Sequence, residues 1–229
     1  GNDTVCGGSG SDAIRGEAGN DTLLGNPGGG ANDDAGDYLN GGAGDDVLDG
    51  WFGDDELNGG AGNDALWGMA GTDTVIFATA TAGVVVDLAA GTATGQGTDT
   101  IVQAENAIGS AYADRLVGTA GVNVLRGGAG NDRIEGWDGN DSLSGGPGVD
   151  TILGGNGNDT VLGEAGSDKL YGNPGNDTVR GGDGNDLISG GTGNDRLYGD
   201  VGADTIAGGD GTDTIDGGSG NDAVDAGSG

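Results

Sequence analysis

The chain has 229 residues and a formal charge of −31, because 38 acidic side chains stand against seven basic ones and no histidine. This charge repels nucleic acid and anionic membranes and attracts cations, so we expect neither nucleic-acid binding nor direct membrane insertion. Glycine supplies 59 residues and aromatic residues only 4%, which is too few for an ordinary globular core.

Residues 1–76 form the first predicted block, which is built from a nine-residue repeat. With places numbered from the first glycine, the pattern is G-G-x-G-x-D-x-U-x, where U is Val, Ile or Leu. Seven residues at 29–35, GGANDDA, interrupt the register, and we expect this insertion to spoil the turn near Asp37.

Residues 77–108 lack the repeat and are predicted to form a β-rich linking segment. The stretches VVVDL and TDTIV within it are typical of strands. We expect them to continue the stack as a wider coil with a side excursion. A protrusion that binds a partner is the alternative.

Residues 109–229 form the second block, in which the register holds without slippage. In both blocks the sixth place is Asp except at Asn123, and the eighth place is always aliphatic. The fourth place is Gly except at Tyr112. We expect Asn123 and Tyr112 to weaken the turns at the start of this block.

Each repeat predicts one turn and one short strand. The run G-x-x-G-x-D is turn chemistry, because glycine reaches backbone angles that are closed to other residues. The last three places alternate outward, inward and outward, so only the eighth side chain should enter the core. Two repeats make a coil of about 18 residues, and coils stack about 4.8 Å apart. The predicted fold is therefore all-β, a parallel β-roll (β-solenoid) with a thin aliphatic core.

Stacking aligns the sixth-place aspartates in two columns, one along each edge of the roll. Like charges about 5 Å apart repel by roughly 1 kcal/mol in water and by several at an effective dielectric near 20. Calcium relieves this repulsion, because Ca²⁺ takes six to eight oxygens from carboxylates and carbonyls. Pairing the turns of successive coils gives roughly 13 ions. The predicted metal ligands are Asp3, Asp12, Asp21, Asp37, Asp46, Asp55, Asp64, Asp73, Asp132, Asp141, Asp150, Asp159, Asp168, Asp177, Asp186, Asp195, Asp204, Asp213 and Asp222.

The basic residues agree with this layout, since all seven occupy a seventh or ninth place and none lies in a predicted turn. They are Arg15, Arg115, Arg126, Arg133, Lys169, Arg180 and Arg196. The turn edges are therefore uniformly acidic.

On these residues the chain resembles the RTX (repeats-in-toxin) proteins, whose calcium-binding nonapeptide is G-G-x-G-x-D-x-U-x. The resemblance covers residues 1–76 and 109–229. It implies a right-handed parallel β-roll in which each calcium ion sits between consecutive turns, held by sixth-place aspartates and turn carbonyls. It also implies type I secretion by a Gram-negative bacterium, with folding outside the cell.

Three functions remain open for such a roll. It could be a structural module of a secreted or cell-surface protein, such as an adhesin or a matrix fibre. It could be the C-terminal, calcium-triggered folding and secretion domain of a larger RTX toxin, protease or lipase. It could present an ice- or carbohydrate-binding surface. No histidine, nucleophile elbow or Cys–His pair is present, so we expect no enzyme.

Head-to-tail self-association is a further expectation. Gly1 and Gly229 both occupy a fourth place, so end-to-end stacking would continue the nine-residue phase with an overlap of one residue. Trp51 and Trp137 occupy second places, scattered among other outward aromatic residues, and we expect no dedicated aromatic site. Cys6 is expected to be a bystander thiol, with an intermolecular disulfide as the alternative.

Overall fold

The computed structural model describes residues 1–27 and 35–229. These form two compact units, unit 1 from Gly1 to Ser110 and unit 2 from Ala111 to Gly229. The interruption predicted at 29–35 lies outside the described residues apart from Ala35. All regular elements in the described ranges are strands, which confirms the all-β prediction. No helix in those ranges is long and apolar enough to cross a membrane.

Unit 1 contains strands β1 to β12 in its described part. They are β1 (Thr4–Cys6), β2 (Ala13–Ala18), β3 (Thr22–Leu24), β4 (Tyr38–Ala43), β5 (Val47–Asp49), β6 (Glu56–Ala61), β7 (Ala65–Trp67), β8 (Thr74–Ile76), β9 (Val85–Asp87), β10 (Thr92–Thr94), β11 (Thr98–Val102) and β12 (Asn106–Ile108). One sheet has the order β1-β3-β5-β7-β11-β10-β9, and the other has the order β2-β4-β6-β8-β12. Successive strands of each sheet are parallel and in register except where β10 is antiparallel to both of its neighbours.

Unit 2 repeats this arrangement with strands β13 to β25. They are β13 (Arg115–Val117), β14 (Val124–Arg126), β15 (Arg133–Asp138), β16 (Ser142–Pro147), β17 (Thr151–Asn156), β18 (Thr160–Ala165), β19 (Lys169–Pro174), β20 (Thr178–Asp183), β21 (Leu187–Thr192), β22 (Arg196–Val201), β23 (Thr205–Asp210), β24 (Thr214–Asp216) and β25 (Ala223–Asp225). The odd-numbered strands form one parallel sheet and the even-numbered strands form the other. Each strand pairs with the strand one coil away, so that equivalent places of the repeat lie side by side. Leu143, for example, pairs with Val161. The prediction of a parallel β-roll with 18-residue coils is confirmed.

The core of each roll is the predicted column of eighth-place aliphatic side chains. Leu39, Leu48 and Leu57 in unit 1 are fully buried, and Ile134 and Leu143 are fully buried in unit 2. The branched aliphatic side chains of Val, Ile and Leu suit this site, because one inward side chain per strand must fill the narrow space between two sheets.

The strands are longer than the sequence predicted. In most of unit 2 each strand continues through the first three places of the next repeat, as β18 does from Thr160 to Ala165. The first-place Gly163 is buried as well, although it has no side chain to add to the eighth-place column. Alternation along a strand explains this burial, since the inward direction recurs two residues after the eighth place. The turn itself is confined to places four to six.

The segment 77–108 packs within unit 1. The predicted strand stretches coincide with β9 and β11, and β11 pairs in parallel with β7, which continues the stack. The excursion between them is the antiparallel β10. Phe77, Val84 and Leu88 are buried, so these residues contribute a small core of their own.

Candidate metal centre

A ladder of hydrogen bonds runs along each edge of unit 2 through the sixth-place residues. The amide of Asp132 donates to Oδ1 of Asp150, and the amide of Asp150 donates to Oδ1 of Asp168, each across 2.8 Å. One ladder joins Asp114, Asp132, Asp150, Asp168, Asp186, Asp204 and Asp222. The other joins Asn123, Asp141, Asp159, Asp177, Asp195 and Asp213. The two predicted aspartate columns are therefore present in this unit.

Unit 1 has the same two ladders. One joins Asp3, Asp21, Asp46, Asp64 and Asp99, and the other joins Asp12, Asp37, Asp55, Asp73 and Glu105. The turn that the insertion was expected to spoil lies largely outside the described residues, but Asp37 itself keeps its place in the ladder. Asp37 accepts from the amide of Asp12 and donates to Oδ1 of Asp55, each across 2.8 Å, because the strands on either side keep their register.

Three acidic residues join the ladders without having been predicted as ligands. Asp114 occupies a sixth place, and the repeat pattern alone could have identified it. Asp99 lies in the pentapeptide GTDTI, which recurs at 211–215 as places four to eight of a repeat. Glu105 carries no such signal, and its longer side chain supplies Oε2 to the amide of Asp73 at 2.9 Å.

The second carboxylate oxygen of these aspartates has a different environment. In the described part of the chain, Oδ2 is buried and has no hydrogen-bond partner in many ladder residues. They are Asp12, Asp21, Asp46, Asp55, Asp64, Asp73, Asp132, Asp141, Asp150, Asp159, Asp168, Asp177, Asp186, Asp195, Asp204 and Asp213. A buried polar atom without a partner lowers the stability of the fold by about 1–3 kcal/mol. A ligand that binds this row of oxygens would remove that cost.

The first-place glycines keep the space beside these oxygens open. A Cβ atom added to Gly172 would collide with Oδ2 of Asp177 and lie 2.6 Å from the carbonyl oxygen of Gly190 on the next coil. Gly154 has the same relation to Asp159 and to the carbonyl oxygen of Gly172. Glycine is thus required at the first place because a carboxylate oxygen and a carbonyl oxygen converge on its Cα.

The electrostatics of the ladders also favour a cation. Burial raises the pKa of Asp55, Asp150 and Asp177 to about 7, although hydrogen bonds from backbone amides lower it and neighbouring carboxylates raise it further. Burial likewise brings the pKa of other ladder residues to about 6: Asp64, Asp73, Asp132, Asp141 and Asp186. The carboxylates are therefore poorly solvated as anions, and a bound cation would stabilise their charged form.

Side chains alone do not complete a metal site. Across residues 1–27 and 35–229, no three Asp, Glu, Cys or His side chains come close enough together to hold an ion. Because Ca²⁺ takes six to eight oxygens and accepts backbone carbonyls, the first-place carbonyls fit as the remaining donors. This all-oxygen donor set suits a hard cation and offers no nitrogen or sulfur to softer metals.

The ladder ends differ from the middle. Asp3 donates its amide to Asp21, but its own side chain is 60% exposed and lies 3.8 Å from the terminal amine. Asp213 and Asp222 are half-buried. Predicted ligands in the middle of each ladder are thus enclosed, whereas those at the ends are open to solvent.

Comparison with known families gives one match. The family described as RTX calcium-binding nonapeptide repeat (4 copies) matches residues 1–31, 32–66, 52–78, 108–143, 144–179, 171–206 and 198–229. These matches cover both repeat blocks. A comparison with curated proteins finds no match.

Proposed function

Because this chain belongs to the RTX calcium-binding nonapeptide repeat family, we propose that it is a structural module of a secreted or cell-surface protein whose β-roll folds when calcium binds. The observation that carries the proposal is the row of buried Oδ2 atoms. In several of them the Cα of a first-place glycine separates this oxygen from a carbonyl oxygen of the next coil, as Gly172 does between Asp177 and Gly190.

The calcium ions would offset a repulsion that the fold itself creates. Successive ladder carboxylates carry like charges about 5 Å apart, and each such pair costs several kcal/mol at an effective dielectric near 20. A domain is stable by only about 5–15 kcal/mol. Repulsion summed along a ladder therefore rivals the stability of a whole domain. Calcium would supply the missing positive charge and coordinate the buried oxygens that have no hydrogen-bond partner.

The ligand set proposed for each ion consists of sixth-place carboxylates and first-place carbonyls of successive coils. In unit 2 the ladders contain six consecutive pairs of aspartates on one edge and four on the other. One ion per pair gives ten ions for this unit, nine from pairs of predicted ligands and one from the pair that Asp114 forms with Asp132.

Folding that depends on calcium suits a protein that acts outside the cell. Extracellular calcium modules bind with dissociation constants of about 10⁻⁴–10⁻³ M, so their sites fill in extracellular fluid and stay empty in the cytosol. A chain of this charge would remain extended until export is complete. This reasoning supports the secreted location implied by the RTX repeats.

The proposed role is non-enzymatic. Most ladder carboxylates accept a hydrogen bond from a backbone amide and are repeated evenly along the roll, which differs from the paired carboxylates of acid–base catalysis.

Head-to-tail self-association remains a prediction, made because both ends of the chain occupy the same place of the nine-residue repeat. Sedimentation velocity of the calcium-loaded chain tests it, and a single monomeric boundary at all concentrations would count against it.

The experiment that tests the proposed function compares folding at two calcium levels. Far-UV circular dichroism should show a disordered chain at cytosolic, submicromolar free calcium and a β-roll at millimolar calcium. Isothermal titration calorimetry on the same samples counts the ions. A chain that is equally folded at both levels would contradict calcium-dependent folding outside the cell.

A further inference from the structure

The second place of a repeat adopts a left-handed backbone, which is why glycine is common there. Trp51 and Met69 are exceptions in two successive coils of unit 1, with φ of 73° and 76°. Gln103, which follows β11 on the next coil, has φ of 53°. A non-glycine residue in this region costs of order 1–3 kcal/mol. Three such residues in adjacent coils are therefore a concentration of backbone strain at one place.

These three side chains line one groove together with Asp49, Phe52 and Ala70, and its volume is about 300 Å³. The rings of Trp51 and Phe52 lie 6.5 Å apart and are tilted by 45°. Gln103 Nε2 donates to the carbonyl oxygen of Met69 across 3.2 Å, which ties two coils together at the groove. The expectation that the aromatic residues are merely scattered therefore does not describe Trp51.

The groove also contains a carboxylate that is not part of the ladders. Asp49 occupies a ninth place at the end of β5 and is only 6% exposed. Within the described ranges, its Oδ1 atom has no hydrogen-bond partner. Burial raises the pKa of Asp49, whereas hydrogen bonds from the backbone and side chain of Trp51 lower it. A buried carboxylate oxygen without a hydrogen-bond partner thus lies next to aromatic and thioether surface.

We propose that this groove binds a small organic cation whose charged nitrogen carries apolar groups, of the choline or tetramethylammonium class. The faces of Trp51 and Phe52 attract such a cation through their quadrupoles, and Met69 and Ala70 cover its methyl groups. Asp49 supplies the negative charge opposite the bound cation, and the cation becomes the partner that the buried Oδ1 lacks. The formal charge of −31 enriches cations around the chain.

Two variants of the full chain in saturating calcium test the proposal. Trp51→Gly removes the indole and relieves the backbone strain at this place, but it also removes the hydrogen bond that the indole donates to Asp49, so its folding is checked by circular dichroism. Asp49→Asn removes the charge and keeps the shape. The matched control is Trp137→Gly, a second-place tryptophan of unit 2 with φ of 80°.

The probe is choline, compared with its neutral isostere 3,3-dimethylbutanol, and binding is followed by saturation-transfer NMR of the methyl protons. We expect choline to bind saturably and about tenfold more weakly to Trp51→Gly and to Asp49→Asn. Trp137→Gly should leave binding unchanged, and the isostere should bind at least about tenfold more weakly than choline. No saturable binding, equal binding of the isostere, or equal binding by Trp51→Gly would overturn the proposal. None of these outcomes affects calcium-dependent folding, which is measured separately.

Discussion

The amide of Asp159 donates to Oδ1 of Asp177 across 2.8 Å, and Oδ2 of the same carboxylate is buried without a hydrogen-bond partner in the described part of the chain. In most ladder aspartates one oxygen thus joins two coils, while the other remains for a cation. The same side chain serves the backbone ladder and the proposed calcium site, so folding and ion binding depend on one another.

Asp177→Asn should separate these two roles. The amide oxygen can still accept from Asp159, but the charge that holds calcium is lost, so the calcium concentration at the folding midpoint should rise severalfold. In the absence of calcium the variant should be more stable than the parent, because a buried charge has gone. A calcium titration of the folding signal measures the midpoint, and far-UV circular dichroism after calcium removal measures the residual β structure. Asp183→Asn, at an exposed third place, is the control and should change neither value. Equal effects of the two variants would contradict the assigned role.

Gly172→Ala should disrupt a calcium site by filling it. Its Cβ would collide with Oδ2 of Asp177, so we expect a loss of about 1–3 kcal/mol in the free energy of unfolding in calcium, together with weaker calcium binding. Gly121→Ala is the control, because its Cβ would meet only Thr119 Oγ1 at 3.6 Å. It should stay within about 0.5 kcal/mol of the parent. If Gly172→Ala changed neither the stability nor calcium binding, the space beside Oδ2 of Asp177 would not hold an ion.

Asp99→Asn tests whether the segment 77–108 takes part in the ladders. Asp99 is 1% exposed and accepts from the amide of Asp64 across 3.0 Å, so its substitution should raise the calcium midpoint as Asp177→Asn does. Asp87→Asn is the matched control. Asp87 only accepts from the amide of Ala90, and asparagine can keep that bond. An unchanged calcium titration of Asp99→Asn would place this residue outside the metal sites.

The pH dependence of the metal-free chain follows from the raised pKa values. The pKa of Asp55, Asp150 and Asp177 is about 7 in the fold, well above the ordinary aspartate value of 3.8. A group whose pKa is raised on folding favours the fold while it is protonated. Its contribution is fully present below the unfolded value and is lost as the pH rises through 6 to 7. After removal of calcium on a chelating resin, β structure should therefore be greater near pH 5 than at pH 8, at about equal ionic strength.

Circular dichroism across this range measures the effect, and a calcium-saturated sample is the control. With calcium the dependence should reverse, because protons compete with the ion for the carboxylates. A metal-free chain that gains β structure as the pH rises would contradict the burial of protonated carboxylates in the roll.

Much of the fold could be predicted from the sequence because the repeat assigns one role to each place. Leu143 and Val161 face each other as the nine-residue phase requires, and Asp150 and Asp168 fall in one ladder for the same reason. The burial of Gly163 could not be predicted from the sequence, since glycine has no hydrophobic side chain that would mark an inward position. Its burial reflects the neighbouring Asp168 Oδ2, which is a tertiary relation.

Outside the repeat, no periodic pattern in the sequence assigns a residue to a place in the coil. The position of Glu105 in a ladder depends on the pairing of β12 with β8, which closes a coil of 32 residues, longer than a coil of two repeats, and no local pattern encodes it. The groove at Trp51 depends in the same way on stacking, because Met69 and Gln103 meet Trp51 only when three coils are placed in register.

The central claim is that calcium is part of the fold, and removing the ion tests it most directly. Far-UV circular dichroism of the full chain at neutral pH is recorded in millimolar calcium, after addition of excess EGTA, and after calcium is restored. We predict a cooperative and reversible loss of the β-sheet signal in EGTA, because the ladder carboxylates then repel one another without a counter-ion. A spectrum that stays unchanged on adding EGTA would contradict the claim.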